Sequence, residues 1–343
     1  AMTLAAAPVL AADLPSASAT TVQAHAAFLA SDELEGRDTA TAGYFIAARY
    51  AATQFEQWGL RPAGDEESYF QSVPLRRTSL EEIEVSVQRA GAAAALEWKA
   101  DFIGGGNPVE TAIDASGEVV FAGYGIDAPA FDITDYDGID VTGKVVMLLS
   151  GAPAGLPHAE RAHFSSRRVK AEVAAAHGAI GLIQIRTRVD AERTPWERMT
   201  LNAGRPGMDW LESDGSVKGA LPTLRFRLSL SDAGAEKLLE GTGTSLAQLR
   251  DEAEARTYRT RPLATSLHVK LRSSHEATAS PNVVALLPGT DPVLSREHVV
   301  VTAHLDHVGV GAEVNGDSLY NGYYDNALGS AVVLEVARVL SQA

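Results

Sequence analysis

Ala303-His304-Leu305-Asp306-His307-Val308-Gly309 follows directly on the apolar run His298-Val299-Val300-Val301-Thr302-Ala303, and Asn321-Gly322-Tyr323-Tyr324-Asp325-Asn326-Ala327-Leu328-Gly329 comes shortly after it. A run that is apolar at nearly every position reads as a strand in a sheet covered on both faces. Ligands of open α/β sheets gather at the carboxyl ends of such strands. His304 stands at such an end and can ligate a metal through one ring nitrogen. Asp306, two residues on, is placed to hold neighbouring ligands by hydrogen bonds. Asp325 lies at the start of a helix expected over 326–340, which is apolar nearly all round and so reads as deeply buried. A carboxylate there is favoured by the helix dipole and can still face a metal; a bridging carboxylate would hold two cations a few ångströms apart. Each residue also has a plainer reading, since strand ends are often polar and an Asp before a helix is commonly a cap. The case rests on their occurring together, in this order and context.

Outward from this stretch, 282–287 reads as a further buried strand turned by Gly289, and 266–271 alternates as a strand. The apolar runs 144–149 and 179–185 flank a helix over 167–177 with Gly178 as its cap. Strand, helix, strand argues for a small α/β unit. The segment 220–224 is strand-like, 196–219 looks like a surface excursion, and 231–239 reads as a short helix. Near the amino terminus 22–29 and 41–58 have helical spacing. In the second, Tyr44, Ala47, Ala48, Ala51, Phe55 and Trp58 form the stripe to be buried, and Gly59 and Pro62 close it. A crossover helix in a parallel sheet leads to another strand. Only 341–343 follow the helix at 326–340, so the fold is expected to be incomplete at its C-terminus.

On these motifs the sequence resembles the co-catalytic zinc aminopeptidases, a family that includes bacterial secreted leucyl-type aminopeptidases, glutamate carboxypeptidase and the transferrin receptor ectodomain. Ala303-His304-Leu305-Asp306-His307, Gly316-Asp317-Ser318-Leu319-Tyr320-Asn321-Gly322 and Asp325-Asn326-Ala327 with Gly329 carry the resemblance. Leu29-Ala30-Ser31-Asp32-Glu33-Leu34-Glu35-Gly36-Arg37 is similar to the family's opening motif. So are Trp58-Gly59-Leu60-Arg61-Pro62, Tyr69-Phe70-Gln71 and Ser280-Pro281-Asn282-Val283-Val284. The resemblance implies an α/β zinc-exopeptidase fold, a phosphorylase/hydrolase-like three-layer sandwich, with an inserted, mainly-β protease-associated domain. The implied division is 1–16 as leader remnant and cloning scar, 17–115 as the first part of the peptidase domain, 116–262 as the insert, and 263–343 as the peptidase domain continued and truncated.

The resemblance further implies that His304 and Asp325 are metal ligands, Asp325 bridging two zinc ions, with Asp306 orienting them. The implied reaction is removal of N-terminal residues from peptides by metal-activated water. Tyr324 departs from the family, in which many relatives carry an acidic residue there. The general-base glutamate and the remaining ligands have no counterpart here: Glu66-Glu67 and Glu81-Glu82 are tandem glutamates in the wrong part of the chain. The chain alone is therefore expected to bind zinc weakly and to be inactive unless a C-terminal fragment completes the fold. A related carboxypeptidase or glutaminyl cyclase, or a non-catalytic receptor-like protein, are the alternatives. His307 is expected to make a hydrogen bond near the metal site. His158, His163 and His177 read as surface or packing residues, and His25, His268, His275 and His298 belong to no ligand motif.

Composition bounds these readings. The 343 residues carry 44 acidic and 29 basic side chains, a net charge of −15, which disfavours a nucleic-acid partner. There are no cysteines, so disulfides, cysteine nucleophiles and thiolate ligands are excluded. Thr3-Leu4-Ala5-Ala6-Ala7-Pro8-Val9-Leu10-Ala11-Ala12-Asp13 resembles the tail of a signal peptide and is too short to cross a membrane. A secreted or periplasmic location is expected, with peptides as partners and no membrane association.

Overall fold

The apolar runs Val145–Leu149 and Gly181–Ile185 pair in parallel along their whole length, from Val145 opposite Gly181 to Leu149 opposite Ile185. All ten residues are buried. The pleat divides each run between two cores. Val145, Met147 and Leu149 pack with Phe121, Ile183 and Leu228 in one cluster. Val146 and Leu148 pack with Ala171, Ala174 and Leu182 in the other. A parallel sheet covered on both faces requires this continuous apolarity.

The computed structural model describes residues 15–89 and 92–342. The leader expected over 1–16 lies, through residue 14, outside the described residues. The chain divides into two compact units, one made of Ala1–Pro74 with Thr278–Ala343, the other of Leu75–Ala277. The fold is mixed α/β with one large sheet. In order across it stand Gly207–Trp210, Phe70–Arg89, Arg261–Val283, Ala112–Phe121, Val145–Leu149, Gly181–Ile185, Phe226–Leu230 and Phe102–Gly104, with Ala92–Leu96 paired to Phe70–Arg89. Its centre is parallel, from Ala112–Phe121 to Phe226–Leu230, and its flanks are antiparallel.

The helices His158–Ser165, Arg167–Ala176, Asp232–Leu239 and Leu246–Glu254 accompany this sheet. Ser166, Ser231 and Ser245 cap three of them, each accepting a backbone N–H from its own first turn. The middle unit is wider than the insert read from sequence over 116–262, because Phe102–Gly104 pairs with Phe226–Leu230 and so ties the segment before residue 116 into the same sheet. The strand expected at 220–224 forms instead at Phe226–Leu230. Pro222 has no N–H for a ladder, and the pairing begins beyond it.

The outer unit is built from the helices Ala19–Leu29, Ala42–Gln57 and Leu328–Leu340. Leu29, Leu34, Ala47 and Ala327 form one buried cluster; Ala51, Phe55, Leu60 and Leu334 form another. Two sequence expectations are corrected here. The run 298–303 pairs with no strand among the described residues, and Val299 is 95% exposed. It is apolar, but among the described residues no strand lies beside it to accept its N–H groups, and Val299, Val300 and Val301 are exposed. The helix Leu328–Leu340 is buried along one face only, through Ser330, Ala331, Leu334 and Glu335. Val332 and Leu340 are exposed. Its Glu335 is held as a carboxylate, with a pKa lowered to about 2, chiefly by the hydrogen-bonded Arg338 guanidinium. Ser18 N–H also donates to Glu335 at 2.6 Å, anchoring the start of Ala19–Leu29.

Candidate metal centre

The site is assembled around Arg37. It ends the turn Asp32–Arg37, in which Glu35 and Gly36 leave helical geometry, and its side chain is wholly buried. A buried guanidinium must find an acceptor for each of its donors. Nε donates to the Leu305 carbonyl at 2.9 Å and Nη1 to the carbonyls of Leu29 and of Asn321, the latter at 2.9 Å. Nη2 donates to the Gly322 carbonyl at 3.2 Å, while the Arg37 carbonyl accepts from His307 N–H. One side chain thus clamps the 304–307 segment to the 321–322 segment. Arg37 belongs to the opening motif, and its role as a clamp is not legible there. No local pattern marks it, because the stretch from Ser31 to Arg37 carries three acidic residues and only Leu34 is a large apolar one.

Asn321 extends the clamp. Its amide donates to the Ala30 carbonyl at 2.9 Å and to the Asp32 carboxylate at 2.7 Å. Gly322 has φ of +64°, and a Cβ there would lie 2.4 Å from the His307 ring. Gly36, at φ +67°, passes so close to the Tyr320 carbonyl that a Cβ would sit 2.3 Å from it. Both positions therefore require glycine, for backbone conformation and for space.

This scaffold brings His304 and Asp325 together across 20 intervening positions. His304 Nε2 lies 3.1 Å from Asp325 Oδ1. Its other nitrogen, Nδ1, lies 3.1 Å from the Asp306 carbonyl and 3.5 Å from the Asp306 carboxylate. The Thr39 hydroxyl donates to the far oxygen of that carboxylate at 2.9 Å. The His304 carbonyl accepts from the Ser330 hydroxyl at 3.0 Å, fixing the backbone behind the ring. His307 Nδ1 approaches Asp325 Oδ2 at 3.9 Å. Burial pushes the His307 imidazole below its usual pKa, opposed by the Asp325 charge.

Asp325 and His304 side chains are both largely exposed, so their facing donor atoms are accessible. Asp325 sits in an irregular turn, Tyr323–Ala327, which precedes the helix, rather than at its first residue. Tyr324 is exposed and turned away from the core. An imidazole nitrogen and a carboxylate oxygen are two of the donor types that zinc takes, and a catalytic zinc usually has three protein ligands. Among the described residues no group of three His, Asp or Glu side chains is positioned to hold a metal. The donor pair fits part of such a site. Of the other histidines, His177 stacks on Tyr136 at 4.3 Å, and His25 bonds the Tyr50 hydroxyl at 2.7 Å; both are packing residues.

Residues 282–343 match Peptidase family M28. No curated protein matches the chain. Among solved structures, the aminopeptidase from Aneurinibacillus sp. strain AM-1 is 18% identical with a TM-score of 0.46; the match covers 95% of this chain and 60% of that one. A zinc aminopeptidase from Bacillus subtilis is 16% identical with a TM-score of 0.39, covering 96% and 59%. The chain thus spans about three-fifths of the length of these structures. The segment that holds His304, Asp306 and Asp325 is therefore the one that matches Peptidase family M28, the family which its motifs resemble.

Proposed function

We propose that this chain is the part of a zinc-dependent exopeptidase that carries the first metal ligands, and that the whole enzyme is an aminopeptidase acting on peptides. The observation that carries this reading is the approach of His304 Nε2 to Asp325 Oδ1 at 3.1 Å, in the segment that matches Peptidase family M28. When bound, zinc supplies a water whose pKa is lowered to about 7 and polarises the scissile carbonyl. His304 would hold it through Nε2. The contacts of Nδ1 with Asp306 fix the ring's direction, as partners behind a ligating histidine do. Asp325 would bridge two zinc ions, and Arg37 keeps the two ligand-bearing segments in register. The remaining ligands and the glutamate that takes the proton would come from a completing segment. Without it the chain binds zinc weakly and hydrolyses little.

The segment 116–262 is read as a protease-associated insert within the middle unit, and the leader-like 3–13 supports export. The test is zinc titration of the full chain beside its His304→Ala and Asp325→Asn variants. Each substitution should weaken binding by about tenfold or more, as loss of one of few ligands does. Zinc binding indifferent to both variants would sink the assignment. The completed protein should cleave an aminoacyl anilide and spare its N-acetylated form; cleavage of both alike would exclude an aminopeptidase.

A further inference from the structure

The middle unit has a cleft of about 790 Å³ at the carboxyl ends of Val145–Leu149 and Gly181–Ile185. Crevices in this position are the usual ligand sites of parallel sheets, and the volume suits a small organic molecule. In a chain of net charge −15, the cleft is lined by six arginines, Arg161, Arg167, Arg186, Arg193, Arg250 and Arg256, against the two carboxylates Asp190 and Glu254. Both carboxylates are engaged: Asp190 accepts from the Ser150 hydroxyl, and Glu254 accepts from Arg188 at 2.7 Å.

The arginines form two tiers. Arg186 and Arg250 are buried at the floor and are held by Asp232, which Arg250 grips with both terminal nitrogens at 2.8 and 2.9 Å. Arg161, Arg167, Arg193 and Arg256 stand exposed at the rim, and their guanidinium groups make no hydrogen bond or ion pair with another described residue. The floor also holds Gln184, which is 9% exposed, and the Nε of Arg186 is buried there without a hydrogen-bond partner among the described residues. Buried polar groups are ordinarily bonded, so this floor is polar and incompletely paired.

We propose that this cleft binds a small organic anion bearing two or more carboxylate or phosphate groups. One oxyanion would lie against Gln184 at the floor, and another would meet the rim guanidinia. Planar guanidinium groups match either anion with paired hydrogen bonds. This inference is independent of the metal centre, and no zinc is needed to test it.

The test is calorimetric titration of the full chain with citrate and, separately, with pyrophosphate. Binding of citrate alone would identify a polycarboxylate, binding of pyrophosphate alone a phosphate compound; either supports the site. The rim variants Arg161→Ala and Arg256→Ala leave no ion pair broken, so they should keep the parent melting temperature while weakening the bound anion by about tenfold each. Gln184→Leu should weaken it without loss of stability. No heat with either anion at 10 mM (about the weakest binding worth scoring) would overturn the proposal. So would binding that all three variants leave unchanged, since that would be charge attraction without a site.

Discussion

Val145–Leu149 in the middle unit and 298–303 in the outer unit read alike in sequence: each is a short, nearly unbroken apolar run ahead of a turn. In the structure they are opposites. Every residue of the first is buried between two paired strands and two cores. The second is unpaired among the described residues and exposed at Val299, Val300 and Val301. An apolar run supplies the tendency to form a strand. The hydrogen bonds and the covering surface come from neighbours distant in sequence, and without them the same chemistry stays in water.

Substitutions that place a charge in each run would break this comparison most directly. Val146→Asp puts a carboxylate where no partner exists and should destabilise the middle unit by about 4 kcal/mol or more, read as a collapse of its urea midpoint. A Val146→Asp protein with near-parent stability would show that the covered sheet is not formed in solution. Next in size is Arg37→Met in the outer unit. It orphans buried carbonyls of Leu29, Leu305, Asn321 and Gly322, at about 3 kcal/mol in total. Its loss should fall on the outer unit's unfolding and on zinc affinity, leaving the middle unit's hydrogen-exchange protection as before.

Smaller still is a pH effect in the middle unit. Lys170 is buried in Arg167–Ala176, donates to the Tyr124 carbonyl, and has its pKa lowered to about 7, mainly by burial. An unfolded lysine takes up its proton near pH 10.5. Between these values the unfolded chain binds the extra proton, so stability rises with pH across about 7 to 10.5. The slope is at most about 1.4 kcal/mol per pH unit. Urea midpoints at pH 7.5 and 9.5 should show the rise in the parent and its absence in Lys170→Met; equal slopes in both would refute the assignment. The smallest effect belongs to Val300→Asp, below about 0.5 kcal/mol because the side chain is already in water. A large loss there would mean that 298–303 is covered in solution, and the contrast with Val145–Leu149 would close.

Local pattern made much of this protein legible. The helices Ala19–Leu29, Ala42–Gln57 and Arg167–Ala176, and the paired runs around Met147 and Ile183, follow from periodicity and caps that lie within each segment. A short motif sets His304, Asp306 and Asp325 in order along the chain, and the structure brings His304 and Asp325 within 3.1 Å of each other. Other features depend on encounters that no local pattern records. Whether 298–303 becomes a strand is decided by neighbours. The extent of the middle unit is decided by Phe102–Gly104 meeting Phe226–Leu230 more than a hundred residues later. Arg37 became the clamp between residues 304–307 and 321–322 only when the turn that carries it met carbonyls from the preceding helix and from two distant stretches, and six arginines became one cleft only when the sheet's carboxyl edge gathered them. Sequence alone determined the donor types and their order along the chain. The tertiary structure decided which groups face one another, because desolvation and hydrogen bonding act between neighbours in space.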